Sequence, residues 1–142
     1  MRKIVFVCLG NICRSPMVEF VMKSMTNQLH IESRATSTWE HGNPIHPGTQ
    51  EIFRKHHIPF DGKKSSQHMS EEDFYNFDEI YALDEQNLSD LKAAAPKGTE
   101  DKIQLLLDNQ AVPDPYYTGD FEETYELVKV GCQKILEKNF LM

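Results

Sequence analysis

No run of lysine or arginine occurs anywhere in this sequence, and fifteen basic residues against twenty-two acidic ones leave a formal charge of −7. Nucleic acid or an anionic membrane surface needs a basic patch to hold it, so neither is an expected partner. Any anion the chain binds must be drawn by a local arrangement. No apolar stretch approaches the roughly 20 residues of a membrane span, and the run behind Met1, Arg2 and Lys3 is too short for a signal peptide. The cytoplasm is the expected compartment, with export by a route that needs no signal peptide left open. Cysteine is scarce: three residues, an odd number, build no disulfide framework. Zinc is equally unsupported, because Cys8 and Cys13 are too far apart for a C-x2-C pair and the histidines are scattered or adjacent, as in His56-His57. No metal and no cofactor are expected, and the histidines are assigned to the surface. Repeats and low-complexity segments are absent. The length of 142 residues suits one domain, 1–142, with one substantial core, as a monomer or weak homodimer.

What is present is alternation. Strand-like and helix-like segments follow one another, the pattern of a parallel sheet covered by helices. A strand over 3–8 leads to a helix whose apolar positions Val18, Val21, Met22, Met25 and Leu29 share one face, and residues 33–38 read as the second strand of a βαβ unit. A helix over 47–57, a capping box Ser70-Glu71-Glu72-Asp73 opening another, a strand over 79–83, a helix over 85–95, a strand over 102–107 and a last helix from about Asp120 follow. In that last helix Phe121, Tyr125, Val128, Cys132, Ile135 and Leu136 make one stripe to dock on the sheet, which places Cys132 in the core. Pattern alone gives the class α/β.

The chemistry concentrates where the first strand ends. Ile4-Val5-Phe6-Val7 runs into Cys8, and five residues separate that cysteine from Arg14, with Ser15-Pro16 next. This reads as a strand, a tight loop and a helix start, with Ser15 as N-cap and Pro16 at the first helical position. Loop N–H groups, a helix N-terminus and a guanidinium converge there, so an anion, phosphate above all, is the natural occupant and the thiolate of Cys8 is favoured. A C-x5-R spacing alone arises by chance, and a cysteine after a strand is ordinarily core. Here the strand, Gly10, an Asn11 that tolerates left-handed backbone, and the Ser-Pro start are separate requirements of one geometry, and all are met.

The stretch Val7-Cys8-Leu9-Gly10-Asn11-Ile12-Cys13-Arg14-Ser15-Pro16, with Asp114-Pro115-Tyr116-Tyr117 near the C-terminus, closely resembles the low-molecular-weight protein tyrosine phosphatases. Trp39-Glu40-x-Gly42-Asn43-Pro44 and Asp84-Glu85-x-Asn87-Leu88 fit the same family, and the resemblance spans the chain. It implies a three-layer, flavodoxin-like sandwich with four parallel strands flanked by helices. It implies hydrolysis of phosphotyrosine and small aryl phosphates through a cysteinyl phosphate, with phosphotyrosine-containing proteins as partners. Cys8 then attacks, Arg14 grips two oxygens with its planar fork, and the backbone N–H groups of Leu9, Gly10, Asn11, Ile12, Cys13, Arg14 and Ser15 supply further donors. Asp114, fenced by Pro113 and Pro115 in an extended, non-helical segment, reads by itself as an exposed carboxylate on a proline-bounded loop; the resemblance makes it the general acid, then the base.

Trp39, Tyr116 and Tyr117 are the candidate walls of a cleft deep enough for a phosphorylated ring, Trp39 being core on its own showing and rim by resemblance. Tyr116 and Tyr117 also look like the regulatory phosphorylation sites of animal relatives. Ser15 is a candidate donor to the Cys8 thiolate, and Asn11 with Ser37 a candidate brace of the loop, as in the resembling network. Asp84 is either part of that brace or the N-cap of the helix that follows it. Cys13 either packs beneath the loop or, as the resemblance supports, captures oxidised Cys8 in a reversible disulfide. The sequence departs from the family at His46, where many relatives are acidic, at Phe20, where many are small, and in a short 107–114 stretch that suggests a bacterial-type member. An arsenate reductase on the same fold needs two more cysteines that 83–107 does not contain. A phosphotyrosine-binding module with a dead site would lack Cys8 or the acid, and a nucleotide or flavin binder would not need the thiol.

Overall fold

β1 (Arg2–Cys8) runs up the middle of the sheet in the computed structural model, which describes residues 1–141. From Ile4 onward its residues are buried whichever way they point, as a central parallel strand covered on both faces requires. β2 (Leu29–Ala35) pairs with it in parallel on one side, with Cys8 opposite Ala35. β3 (Glu79–Ala82) pairs on the other side, and β4 (Ile103–Leu105) extends the sheet beyond β3. The order β2-β1-β3-β4 is the doubly wound, flavodoxin-like arrangement. Its switch point lies between β1 and β3, so the loop after Cys8 opens where ligands bind in such sheets.

Helices complete three layers. α1 (Arg14–Met25), α2 (Pro47–Lys55) and α6 (Phe121–Lys138) share one face, where Ile4 and Phe6 meet Met17, Val18 and Met22 of α1 and Val128, Cys132 and Ile135 of α6. On the other face α3 (Glu71–Asn76) and α4 (Glu85–Ala94) enclose Val5 and Val7 with Phe74, Phe77 and Leu91. Among the described residues no helix is long and apolar enough to cross a membrane. α3 opens with the expected capping box between Ser70 and Asp73, and the α6 stripe docks as read, with Cys132 fully buried and its thiol pushed up by that burial.

Several boundaries differ from the sequence reading. α1 stops at Met25, so Leu29 is not on its apolar face but begins β2, which covers 29–35 rather than 33–38. Charged Glu32 and Arg34 interrupt the apolar pattern of this strand and obscure where it starts. They are tolerated because Arg34 pairs with Glu32 at 2.7 Å and with Asp73 at 3.1 Å. Thr36 and Ser37 lie beyond β2, yet their N–H groups donate to the carbonyls of Cys8 and Leu9, carrying the pairing into the loop. The helix read over 47–57 ends at Lys55, and the later strands are trimmed to Glu79–Ala82 and Ile103–Leu105. The segment around Asp114 is not extended throughout: α5 (Pro115–Thr118) is a single helical turn, started by Pro115 and stopped by Gly119 at φ 75°.

A buried carboxylate ties the far end of the sheet together. Glu79 on β3 accepts from Arg2 Nε at 2.7 Å, Tyr81 Oη at 2.6 Å and Lys138 Nζ at 2.8 Å, joining β1, β3 and α6. Burial pushes the Glu79 carboxyl up, but the hydrogen bonds from Lys138, Tyr81 and Arg2 outweigh it and hold the carboxyl below its ordinary value. A carboxyl lowered by folding adds stability at neutral pH, and that contribution is lost as the pH falls below the ordinary value of 4.5. Glu79→Gln is therefore expected to cost about 2 kcal/mol at pH 7, as for hydrogen bonds to a charged group. In urea titrations at stepped pH, the difference between the two proteins should shrink toward acid. A constant difference would show that Glu79 acts by packing alone.

Candidate active site

Cys8 closes β1 and the chain then turns sharply through Asn11, which takes the left-handed conformation at φ 55°. The turn brings the Asn11 N–H to the Cys8 sulfur at 3.2 Å. Ser15 is not the N-cap anticipated for it, since α1 begins at Arg14 with Cys13 in the cap position and no side-chain cap bond. Its hydroxyl is engaged elsewhere, 3.1 Å from Cys8 Sγ. Asn11 Nδ2 donates to Ser15 Oγ at 2.7 Å, which leaves the single Ser15 hydrogen for the sulfur or, more distantly, the Arg34 carbonyl at 3.4 Å. Asn11 Nδ2 also reaches Ser33 Oγ at 3.0 Å, and Asn11 Oδ1 accepts the Gln67 N–H at 3.1 Å.

Most of the loop carbonyls are taken up from outside. Leu9 O accepts from Ser37 Oγ at 2.8 Å and Gly10 O from Ser66 Oγ at 2.7 Å. Ile12 O accepts the His46 N–H at 2.8 Å, and Cys13 O accepts from Thr49 Oγ1 at 3.1 Å. With the acceptors turned outward, the N–H groups of the loop are left to the cavity, a nest for an anion. Ser37 thus braces the loop through Leu9. Ser33, Thr49, Ser66 and Gln67 were not singled out from the sequence; each is an isolated polar residue whose only signal is the fold that carries it here.

Arg14 is buried, with Nη1 donating to Asp84 Oδ2 at 2.8 Å and to the Val112 carbonyl at 2.9 Å. Burial alone lowers the guanidinium, but the Cys8 sulfur, the bond to Asp84 and the charge of Asp114 more than reverse this and hold it firmly charged. Asp84 serves both readings at once: Oδ2 anchors Arg14 while Oδ1 caps α4 by accepting the Asn87 N–H at 2.7 Å. Asp114 comes from the opposite wall. Its Oδ2 stands 3.6 Å from Arg14 Nη2, and its Oδ1 accepts the Tyr116 N–H at 3.1 Å as the N-cap of α5.

A cavity of about 170 Å³ gathers these groups. The Cys8–Arg14 loop lines it, with Trp39 and Glu40 on one side and Asp114, Tyr116 and Tyr117 on the other. Trp39 is 77% exposed, Tyr117 75% and Tyr116 57%, so the three rings form a rim rather than core. Burial pushes the Cys13 thiol up to about 12, helped by the nearby Asp114 and Cys8 and opposed by Arg14. Of the histidines assigned to the surface, His46 and His56 are half-buried: His46 Nδ1 caps α2 by accepting the Gly48 N–H at 3.0 Å, and His56 pairs with Glu122 at 2.6 Å.

Comparison with known proteins places the chain in a family. The family description "Low molecular weight phosphotyrosine protein phosphatase" matches residues 3–140, and the chain belongs to that family. It is 43% identical to the low molecular weight protein-tyrosine-phosphatase YfkJ of Bacillus subtilis, over 96% of this chain and 94% of that protein. It is 39% identical to PtpA of Staphylococcus aureus, over 94% of this chain and 91% of the relative. Among solved structures, the low molecular weight protein tyrosine phosphatase SP-PTP of Streptococcus pyogenes superposes with a TM-score of 0.94 at 52% identity, covering 97% of this chain and 93% of that one.

Proposed function

We propose that this protein hydrolyses phosphotyrosine and small aryl phosphates through a cysteinyl-phosphate intermediate. The observation that carries the reading is the meeting of the Cys8 sulfur, the Arg14 guanidinium and the Asp114 carboxyl on one cavity. Family membership and relatives named protein-tyrosine-phosphatases support the same activity. The phosphoryl oxygens lie against the loop N–H groups and the free edge of Arg14, which meet the charge spread over them in the transition state. The Cys8 thiolate attacks phosphorus in line, forming the S–P bond as the P–O bond to the phenol breaks. Protonated Asp114 gives its proton to the departing oxygen. The resulting carboxylate then takes a proton from water, whose oxygen attacks phosphorus and returns sulfur as thiolate with inorganic phosphate released.

Two features supported by the geometry fit this cycle. Donors from Ser15 and the Asn11 N–H stabilise the sulfur as leaving group in the second step. The rim of Trp39, Tyr116 and Tyr117 suits a flat ring standing above a recessed nucleophile, and a phosphoserine is too short to bring its phosphorus to the loop. Arg14 and the N–H groups supply the positive charge this mechanism needs, so turnover is expected to persist in a chelator. Phosphotyrosine-containing proteins in the cytoplasm are the proposed substrates.

Cys8→Ser is expected to abolish turnover while retaining affinity for phosphotyrosine peptides, since the anion site remains. Steady-state rates with a chelator and peptide titration of the variant check both halves. Turnover within about tenfold of native, worth only ~1.4 kcal/mol of barrier, would remove Cys8 from the nucleophile role. Asp114→Asn should slow phosphotyrosine, whose phenol has a pKa near 10, by at least about a hundredfold, and esters of good leaving groups far less. An equal loss across a series of aryl phosphates would make Asp114 structural.

The same site predicts a redox response. Peroxide oxidises the Cys8 thiolate to a sulfenic acid, and the Cys13 sulfur attacks it, forming the disulfide and releasing water. Burial that pushes the Cys13 thiol up to about 12 leaves little of it as thiolate at pH 7, so capture depends on the two sulfurs sharing one short loop, where the step is intramolecular. A mild dose of peroxide should therefore inactivate the native protein reversibly to a dithiol, and Cys13→Ala irreversibly. Full recovery of Cys13→Ala would rule the disulfide out.

A further inference from the structure

His46 touches the phosphate loop on one side and the turn that carries Asp114 on the other. Its N–H holds the Ile12 carbonyl at 2.8 Å, and its Nδ1 accepts the Gly48 N–H at 3.0 Å, which fixes the ring and leaves the proton on Nε2. The ring stacks on Phe121 with centroids 5.2 Å apart at 23°, and the edge contact with Tyr116 spans 6.0 Å at 77°. Phe121 cannot retreat under the imidazole: it lies over Gly48, where even a Cβ would fall 2.4 Å from the ring. The imidazole is thus clamped from below by α6 and from its own backbone by α2. Tyr116 is the residue whose N–H fixes Asp114 Oδ1, and its ring leans on Tyr117 at 5.2 Å.

We propose that His46 is a positioning residue, whose clamped ring braces Tyr116 and so holds the Asp114 turn over the phosphate loop. The inference rests on the reading of Asp114 as the acid for its kinetic consequence, but not for its structural one. Two roles are separable. The Nδ1 acceptor serves α2, a capping function asparagine supplies equally well. The ring serves the acid turn, and only another flat ring replaces it. Without the ring, Tyr116 loses its lateral support, the turn samples other poses, and proton delivery suffers in proportion to the need for it.

The experiment compares native protein, His46→Asn, His46→Phe and Asp114→Asn. Backbone amide order parameters for Tyr116, Tyr117 and Thr118 are expected near ~0.85 in the native protein, below ~0.6 in His46→Asn, and restored in His46→Phe. In the same His46→Asn protein kcat/KM should fall about tenfold for phosphotyrosine and stay within about twofold for an aryl phosphate with a good leaving group. His46→Phe should show the reverse split, a lower thermal midpoint from the lost cap with kinetics near native. Native order parameters in His46→Asn, or equal loss of order in both His46 variants, would overturn the proposal. If the turn loosens in His46→Asn alone but Asp114→Asn shows no leaving-group dependence, the brace stands and it is the acid reading that fails.

Discussion

Everything in this site depends on a backbone loop that turns its carbonyls away from its own centre. A peptide loop offers donors and acceptors in equal number, and an anion is repelled by the second as strongly as it is held by the first. Here Ser37, Ser66, His46 and Thr49 draw the carbonyls of Leu9, Gly10, Ile12 and Cys13 outward. These four come from three separate stretches of chain, so the nest exists only when β2, α2 and the 61–69 segment are all in place. The left-handed Asn11 is the conformational counterpart: an L-residue pays roughly 1–2 kcal/mol for that backbone. Its side chain offsets the cost with bonds to Ser15, Ser33 and the Gln67 N–H.

The second constraint is electrostatic. A guanidinium buried as deeply as Arg14 is unstable without a partner, and Asp84 supplies one from the carboxyl end of β3. That pair also orients the fork, since Nη1 is spent on Asp84 and Val112 while Nη2 faces Asp114. The switch point between β1 and β3 is what makes this possible, because it sets the end of one strand beside the end of the other. Fold and electrostatics are therefore one argument: the sheet order decides which carboxylate reaches the arginine.

The parts legible in the sequence were those whose signals are local. The strand, loop and helix around Cys8 and Arg14, the Ser70 capping box and the α6 stripe each declare themselves within a few residues. β2 did so only in part: its end was read within 33–38, but its start at Leu29 was assigned to the helix before it, and Glu32 broke the apolar pattern while satisfied by Arg34. Of the two roles the sequence offers Ser15, helix cap and donor to Cys8, the hydroxyl beside the sulfur fits only the second, and Cys13 takes the cap position. Asp114 was set in an extended segment since prolines flank it; Pro115 instead starts the α5 turn, as proline does at a first helical position. Ser33, Thr49, Ser66 and Gln67 were invisible because an isolated serine, threonine or glutamine carries no pattern.

A densely tied anion site and a more lightly tied acid follow from how each is anchored. The phosphate loop is fastened by hydrogen bonds to Ser33, Ser37, His46, Thr49, Ser66 and Gln67, side chains or backbone groups from several stretches of chain. The Asp114 turn has fewer ties: the Thr124 hydroxyl on the Pro113 carbonyl at 3.1 Å, the guanidinium edge, and aromatic contact through Tyr116. Its prolines restrict the chain in place of hydrogen bonds, and Gly119 at φ 75° ends the turn before α6 begins. That division suits the chemistry, since the nucleophile's pocket must fit one unvarying tetrahedral group, whereas the acid faces a leaving oxygen in one step and a water in the next.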